Sequence, residues 1–78
     1  MDDVMPLTWL KRGDKAIVAS LEPLTAAHFS KLSAFGILPD VLVCVVQSSP
    51  AVILQINYTK VALDRRIAQG IMVVKLRK

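Results

Sequence analysis

With one histidine and one cysteine, the chain cannot assemble a His/Cys metal cluster of familiar spacing, and a lone cysteine cannot close an internal disulfide. Its acids, Asp2, Asp3, Asp14, Glu22, Asp40 and Asp64, are scattered, and no serine or cysteine stands beside a plausible base. There is no phosphate loop of the GxxxxGK type; the three glycines, Gly13, Gly36 and Gly70, each sit where one element gives way to the next. These absences set catalysis aside and assign no cofactor and no metal. Aromatic residues are also scarce. Trp9, Phe29, Phe35 and Tyr58 are the whole set, which argues against nucleic acid, because single-strand binders pair a basic groove with several stacking rings.

At 78 residues the chain is one domain, 1–78, near the lower limit for a core that folds without metals or several disulfides. Its N-terminus, Met1-Asp2-Asp3-Val4-Met5-Pro6, opens acidic and lacks the basic start and apolar run of a signal peptide, which places the protein in the cytoplasm. The net charge of +4 is partly gathered at Lys75, Arg77 and Lys78 and reads as a basic, solubilising tail. His28 reads as a surface or boundary residue of a helix, and Cys44 as a buried, unreactive thiol.

The stretch 29–46 organises the rest. Phe29 and Leu32 recur at helical spacing, Gly36 offers the left-handed turn that ends a helix, and Pro39 forbids its continuation. Beyond lies Val41-Leu42-Val43-Cys44-Val45-Val46, uninterrupted, rich in β-branched residues and far too short to cross a bilayer, so it predicts a strand covered on both faces. Upstream, Leu7, Trp9 and Leu10 predict a single helical turn capped by Thr8 and closed by Gly13, followed by a first strand over 15–21. Thr25 is placed to cap a helix over 26–35 whose inward side is Phe29, Leu32 and Phe35. Ala27, Ser30 and Ala34 form a stripe of small residues on its other side.

Downstream, Gln47-Ser48-Ser49-Pro50 predicts a turn, 51–56 a second apolar strand pairing with the first as a hairpin, and Asn57-Tyr58-Thr59 another turn. A short strand over 60–63, one or two helical turns over 64–69 and a final strand over 71–76 complete the chain. Five short strands with one principal α-helix and short helical turns predict a mainly β, small α+β domain, a closed or nearly closed barrel. One helix covers only part of such a barrel, so apolar surface is left over, which predicts a docking surface or a homo-oligomer.

The order of these pieces resembles the FeoA family. The resemblance rests on Leu7, Leu10, Gly13, Ala16 and Ile17, on Lys31-Leu32 with Phe35-Gly36-Ile37-Leu38-Pro39, on Ala62-Leu63-Asp64-Arg65-Arg66-Ile67-Ala68 and on Ile71-Met72-Val73, nearly the whole chain. Two positions depart from the family pattern: Asp40 stands where glycine is usual, and Phe29-Ser30 replaces a more arginine-rich lead-in. The resemblance implies an SH3-like five-stranded β-barrel, similar to one appended to iron-dependent repressors. It further implies a cytoplasmic accessory protein of ferrous-iron transport that docks on FeoB, the membrane transporter with a GTPase domain, and reaches the membrane only through that partner. Transition-metal binding enters at the level of the family alone.

On that reading the partner contact uses Leu32 and Phe35 to shape the helix, with Tyr58, Arg65 and Arg66 at the rim. Two alternatives remain open: a small basic barrel binding nucleic acid through Lys11, Arg12, Lys15, Arg65 and Arg66, and a stand-alone regulatory domain acting in trans.

Overall fold

The computed structural model describes residues 3–76, so Arg77, Lys78 and the first two residues of the acidic start lie outside the described residues. In order, the elements are β1 (Val4–Pro6), a 3-10 turn (Leu7–Trp9), β2 (Lys15–Ser20), α1 (Ala26–Ala34), β3 (Leu42–Gln47), β4 (Val52–Ile56), β5 (Thr59–Leu63), α2 (Arg65–Ala68) and β6 (Met72–Lys75). All pairings are antiparallel, in the order β1-β6-β2-β3-β4-β5. The expected five strands are thus six. The added strand, β1, is three residues long and ends in Pro6, and it is held in place by β6, with Val4 opposite Val74 and Pro6 opposite Met72. A proline at a sheet edge gives up no ladder bond, whereas from the sequence it reads as a break.

β1 and β5 are the edge strands. β1 runs into the 3-10 turn and β5 into α2, and these two elements lie against each other, which brings the edges round into the SH3-like barrel. Leu7 N–H also donates to the Ile71 carbonyl at 2.8 Å, fastening the turn to the chain just before β6. Burial alternates along the strands, as at Ala16 and Val18, Val43 and Val45, and Val52, Leu54 and Ile56, and these residues join one apolar core, with no polar or charged residue buried among the described residues. The expectation that the strand over 41–46 is covered on both faces is corrected: its outward residues, Leu42, Cys44 and Val46, are exposed or half-buried. Cys44 is likewise half-buried rather than a core thiol. Thr8 makes no cap to the 3-10 turn; the residue preceding the turn is Pro6.

The helix stop is built as the sequence indicates. Ile37 N–H donates to the Leu32 carbonyl at 2.9 Å and Gly36 N–H to that of Ser33 at 3.0 Å, with Gly36 at φ 86°. That is the Schellman pattern, and Leu32 and Ile37, the two residues it brings together, are both buried. A second turn follows at once: Val41 N–H donates to the Leu38 carbonyl at 3.2 Å, with Pro39 at the first central position and Asp40, at φ 74°, at the second. This is type II geometry, which favours glycine where the chain has Asp40.

Candidate functional site

Helix α1 is the least covered element. Thr25 caps it as expected, accepting from His28 N–H at 3.3 Å, yet Leu32, 1% exposed, is its one buried residue. Phe29 and Phe35 remain 42% and 44% exposed, so the expected inward stripe is corrected to its central residue. At about 100° per residue the two rings flank Leu32 by about 60° on either side, so a helix touching the barrel along one line covers Leu32 and leaves its neighbours half open. His28 lies on the exposed surface of the same helix.

Phe29 borders an open cleft of 710 Å³ between the end of β2, the start of α1 and Pro39, with Leu21, Leu24 and Ala26 among its apolar lining and Ser20 and Glu22 among its polar. Beyond α1, Leu38 and Leu42 are also exposed. Phe29, Phe35, Leu38 and Leu42, carried by α1 and the segment that leads from it into β3, are four of the eight large apolar side chains exposed among the described residues. A smaller groove of 430 Å³ crosses the outer surface of β2, β3 and β4, lined by Lys15, Leu42, Cys44, Gln55 and Asn57.

The residues expected at a partner contact are not gathered in one patch. Leu32 is buried and offers no surface to a partner; its role is to hold α1 on the barrel. Tyr58 is fully exposed, at the tip of the β4–β5 hairpin, where Asn57 takes φ 55°. Arg65 and Arg66 follow the other end of β5, with Thr59 paired to Ile56 near the tip and Leu63 paired to Val52 at the far end. The length of a five-residue strand, roughly 13 Å, therefore separates Tyr58 from the arginines. Arg65 is occupied: its Nη1 donates to the Ser48 carbonyl in the β3–β4 turn, tying α2 to that turn. Asp64 caps α2 by accepting from Arg66 N–H at 2.7 Å, whereas the Arg66 side chain makes no hydrogen bond or ion pair among the described residues.

Trp9 is a surface residue that the sequence pattern did not single out. It is 70% exposed on the 3-10 turn that lies against α2. The spacing of Leu7 and Leu10, both buried, is the signal that would have turned it outward, since residues three apart share a side of a tight helical turn and the residue between them does not.

Among the described residues no group of three or more His, Cys, Asp or Glu side chains is placed to hold a metal ion, and no helix is long and apolar enough to cross a membrane.

The family model for the FeoA domain matches residues 5–75. Among solved structures, the chain is similar to a crystal structure of an iron uptake regulatory protein, FeoA, at 29% identity and a TM-score of 0.83, covering 95% of this chain and 99% of that one. It is similar to the solution structure of the FeoA protein from Chlorobium tepidum at 28% identity and a TM-score of 0.85, over 94% of this chain and 71% of that one. A manganese-dependent transcriptional repressor shares the fold, at 23% identity and a TM-score of 0.88, with 97% of this chain aligning to 43% of the repressor. No curated protein sequence matches.

Proposed function

Because this chain belongs to the FeoA family, we propose that it is a non-catalytic accessory protein of ferrous-iron uptake that docks on the FeoB membrane transporter through the face bearing α1. One observation supports the choice of face: α1 is anchored by Leu32 alone and leaves Phe29 and Phe35 half exposed, Phe29 beside a cleft wide enough for apolar side chains. Half-buried aromatic rings are pre-organised anchors, because little rotamer freedom is left to lose when a partner covers them. Scattered single apolar residues on a surface carry no such meaning; two rings flanking one anchor on one short helix do. Tyr58, fully exposed near β3's start, is a peripheral contact on this reading, while Arg65 serves the fold through Ser48.

Calorimetric titration of the protein into the full-length transporter, and separately into its soluble GTPase region, tests the proposal. The expected result is affinity for one or both that falls about tenfold or more in Phe29→Ala and in Phe35→Ala, each checked for an unchanged circular dichroism spectrum. No heat with either form of an active transporter would overturn it. Affinity untouched by either phenylalanine variant would overturn the assignment of the face.

A second reading, a regulatory domain acting in trans, draws on the fold shared with the manganese-dependent repressor, in which the matched region is less than half of the chain. Fold likeness is its only support.

A further inference from the structure

A different surface carries a chemistry that the docking of α1 does not use. Where the 3-10 turn lies against α2, Trp9 stands 70% exposed, and the chain leaves that turn through Leu10 directly into Lys11 and Arg12, both exposed. Arg65 and Arg66 come from α2. Both segments are tied to β3 and its turn: Gly13 N–H donates to the Val45 carbonyl at 2.8 Å, and three residues further on the Ser48 carbonyl receives Arg65. The two carboxylates in this region are already engaged. Asp14 accepts from Lys11 N–H at 2.8 Å and stands 3.6 Å from Lys75 Nζ, while Asp64 caps α2. Four cationic residues thus sit on or beside the two elements that meet at an exposed indole, Arg65 already bonded to Ser48, against two carboxylates, Asp14 and Asp64, whose hydrogen bonds are made within the fold.

We propose that this seam is a second docking surface, one that takes an acidic segment of a protein partner, with Trp9 as the anchor and Lys11, Arg12 and Arg66 as the charge that steers and holds it. The composition decides between partners. Tryptophan and arginine are the residues that dominate protein–protein hot spots, and an excess of cations on the segments beside them matches a carboxylate-rich segment. Single-stranded nucleic acid fits less well, since a groove for it stacks successive bases on successive rings and this seam has one. The inference stands apart from the α1 face, uses none of its residues, and is tested without the transporter.

Trp9 is the sole tryptophan, so its emission reports on this site alone. The full chain is titrated with a synthetic glutamate decapeptide, and in parallel with a thymidine decadeoxynucleotide. The expected result is a change in Trp9 emission on adding the peptide, with an apparent Kd that weakens about tenfold between low and physiological salt. The double substitution Arg12→Glu with Arg66→Glu is expected to weaken the peptide by tenfold or more, relative to the same charge change made by Lys31→Glu with Lys60→Glu on other elements. By calorimetry, Trp9→Ala is expected to lose about tenfold as well. Equal weakening by both double variants would reduce the effect to net charge and overturn the site. No response to the peptide, or tighter binding of the oligonucleotide than of the peptide, would overturn the acidic protein partner.

Discussion

The α1 face and the seam between the 3-10 turn and α2 both present aromatic rings to solvent, but they hold them by different means. On the α1 face the rings flank a single buried leucine, and one of them, Phe29, borders a cleft lined mainly by apolar residues. At the seam the indole projects from a turn whose own leucines, Leu7 and Leu10, are buried, and the surroundings are cationic. One surface is thus suited to burying apolar area, which salt does little to weaken, and the other to electrostatic capture, which salt screens. A barrel of this size has room for both because its strands supply most of the core, while the 3-10 turn, α1 and α2 each bury a single residue, Leu7, Leu32 and Ala68, and leave the others to the surface.

The largest expected effect separates the two surfaces through their anchors. Leu32→Ala is expected to destabilise the protein by about 2–5 kcal/mol, the range for truncating a buried leucine, as measured by urea unfolding. It is also expected to loosen α1 before the seam, because Leu32 closes the Schellman stop against Ile37 and nothing else in the helix is buried. Hydrogen exchange resolves the order: amides of α1 lose protection while those of β2 and β6 keep theirs. Uniform loss across the sheet would mean that α1 is no separate unit.

Gly70 is where the two regions touch. Its φ is not in the left-handed range; what it provides is space, since a Cβ there would lie 2.3 Å from Leu24 Cδ2 and 2.9 Å from Leu24 Cγ. Leu24 lines the cleft beside Phe29, so Gly70→Ala is expected to cost about 1–3 kcal/mol through crowding and to displace Leu24 into the cleft. Weakened docking at α1 with unchanged Trp9 emission would confirm that the disturbance runs to the α1 face. An unchanged melting temperature would show that Leu24 moves aside freely.

Within the seam, Arg65 and Arg66 are adjacent in sequence and unlike in role. Arg65→Ala removes the bond to the Ser48 carbonyl and is expected to cost about 1 kcal/mol. Arg66→Ala, whose side chain has no partner among the described residues, is expected to stay within about 0.5 kcal/mol of the parent in the same urea titration. Equal effects would break the division between clamp and free cation.

This contrast also marks what could be read from residues alone. Turn chemistry was legible: Thr25, Gly36 and Pro39 announce a cap, a left-handed stop and a break, and each does that work. The alternating strands were legible in type and order, except β1, whose proline is tolerable because that strand lies at the edge of the sheet. The helix period gave the azimuth of Phe29, Leu32 and Phe35 correctly, but not the width of the surface opposite, so how much of the stripe is covered could not be known. Arg65 and Arg66 share one sequence pattern and are told apart only by where the β3–β4 turn passes.

The one stabilising effect expected concerns the turn that carries the chain from α1 to β3. Asp40 holds φ 74° at the second central position of a type II turn, and its N–H donates to the Val18 carbonyl at 2.8 Å, so its backbone is fixed from both sides. A Cβ in the left-handed region costs about 1–2 kcal/mol, and glycine removes that cost while adding freedom to the unfolded chain worth most of a kilocalorie. Asp40→Gly is therefore expected to stabilise the protein by about 0.5–1 kcal/mol, read as a higher urea midpoint at unchanged slope. Because Pro39 lines the cleft and Leu38 and Leu42 flank the turn, docking at the α1 face should be unchanged if the turn already holds its relaxed geometry. Docking strengthened along with stability would instead mean that Asp40 strains the turn enough to misplace that face, and the comparison with the seam, which no such residue borders, would then rest on one substituted glycine.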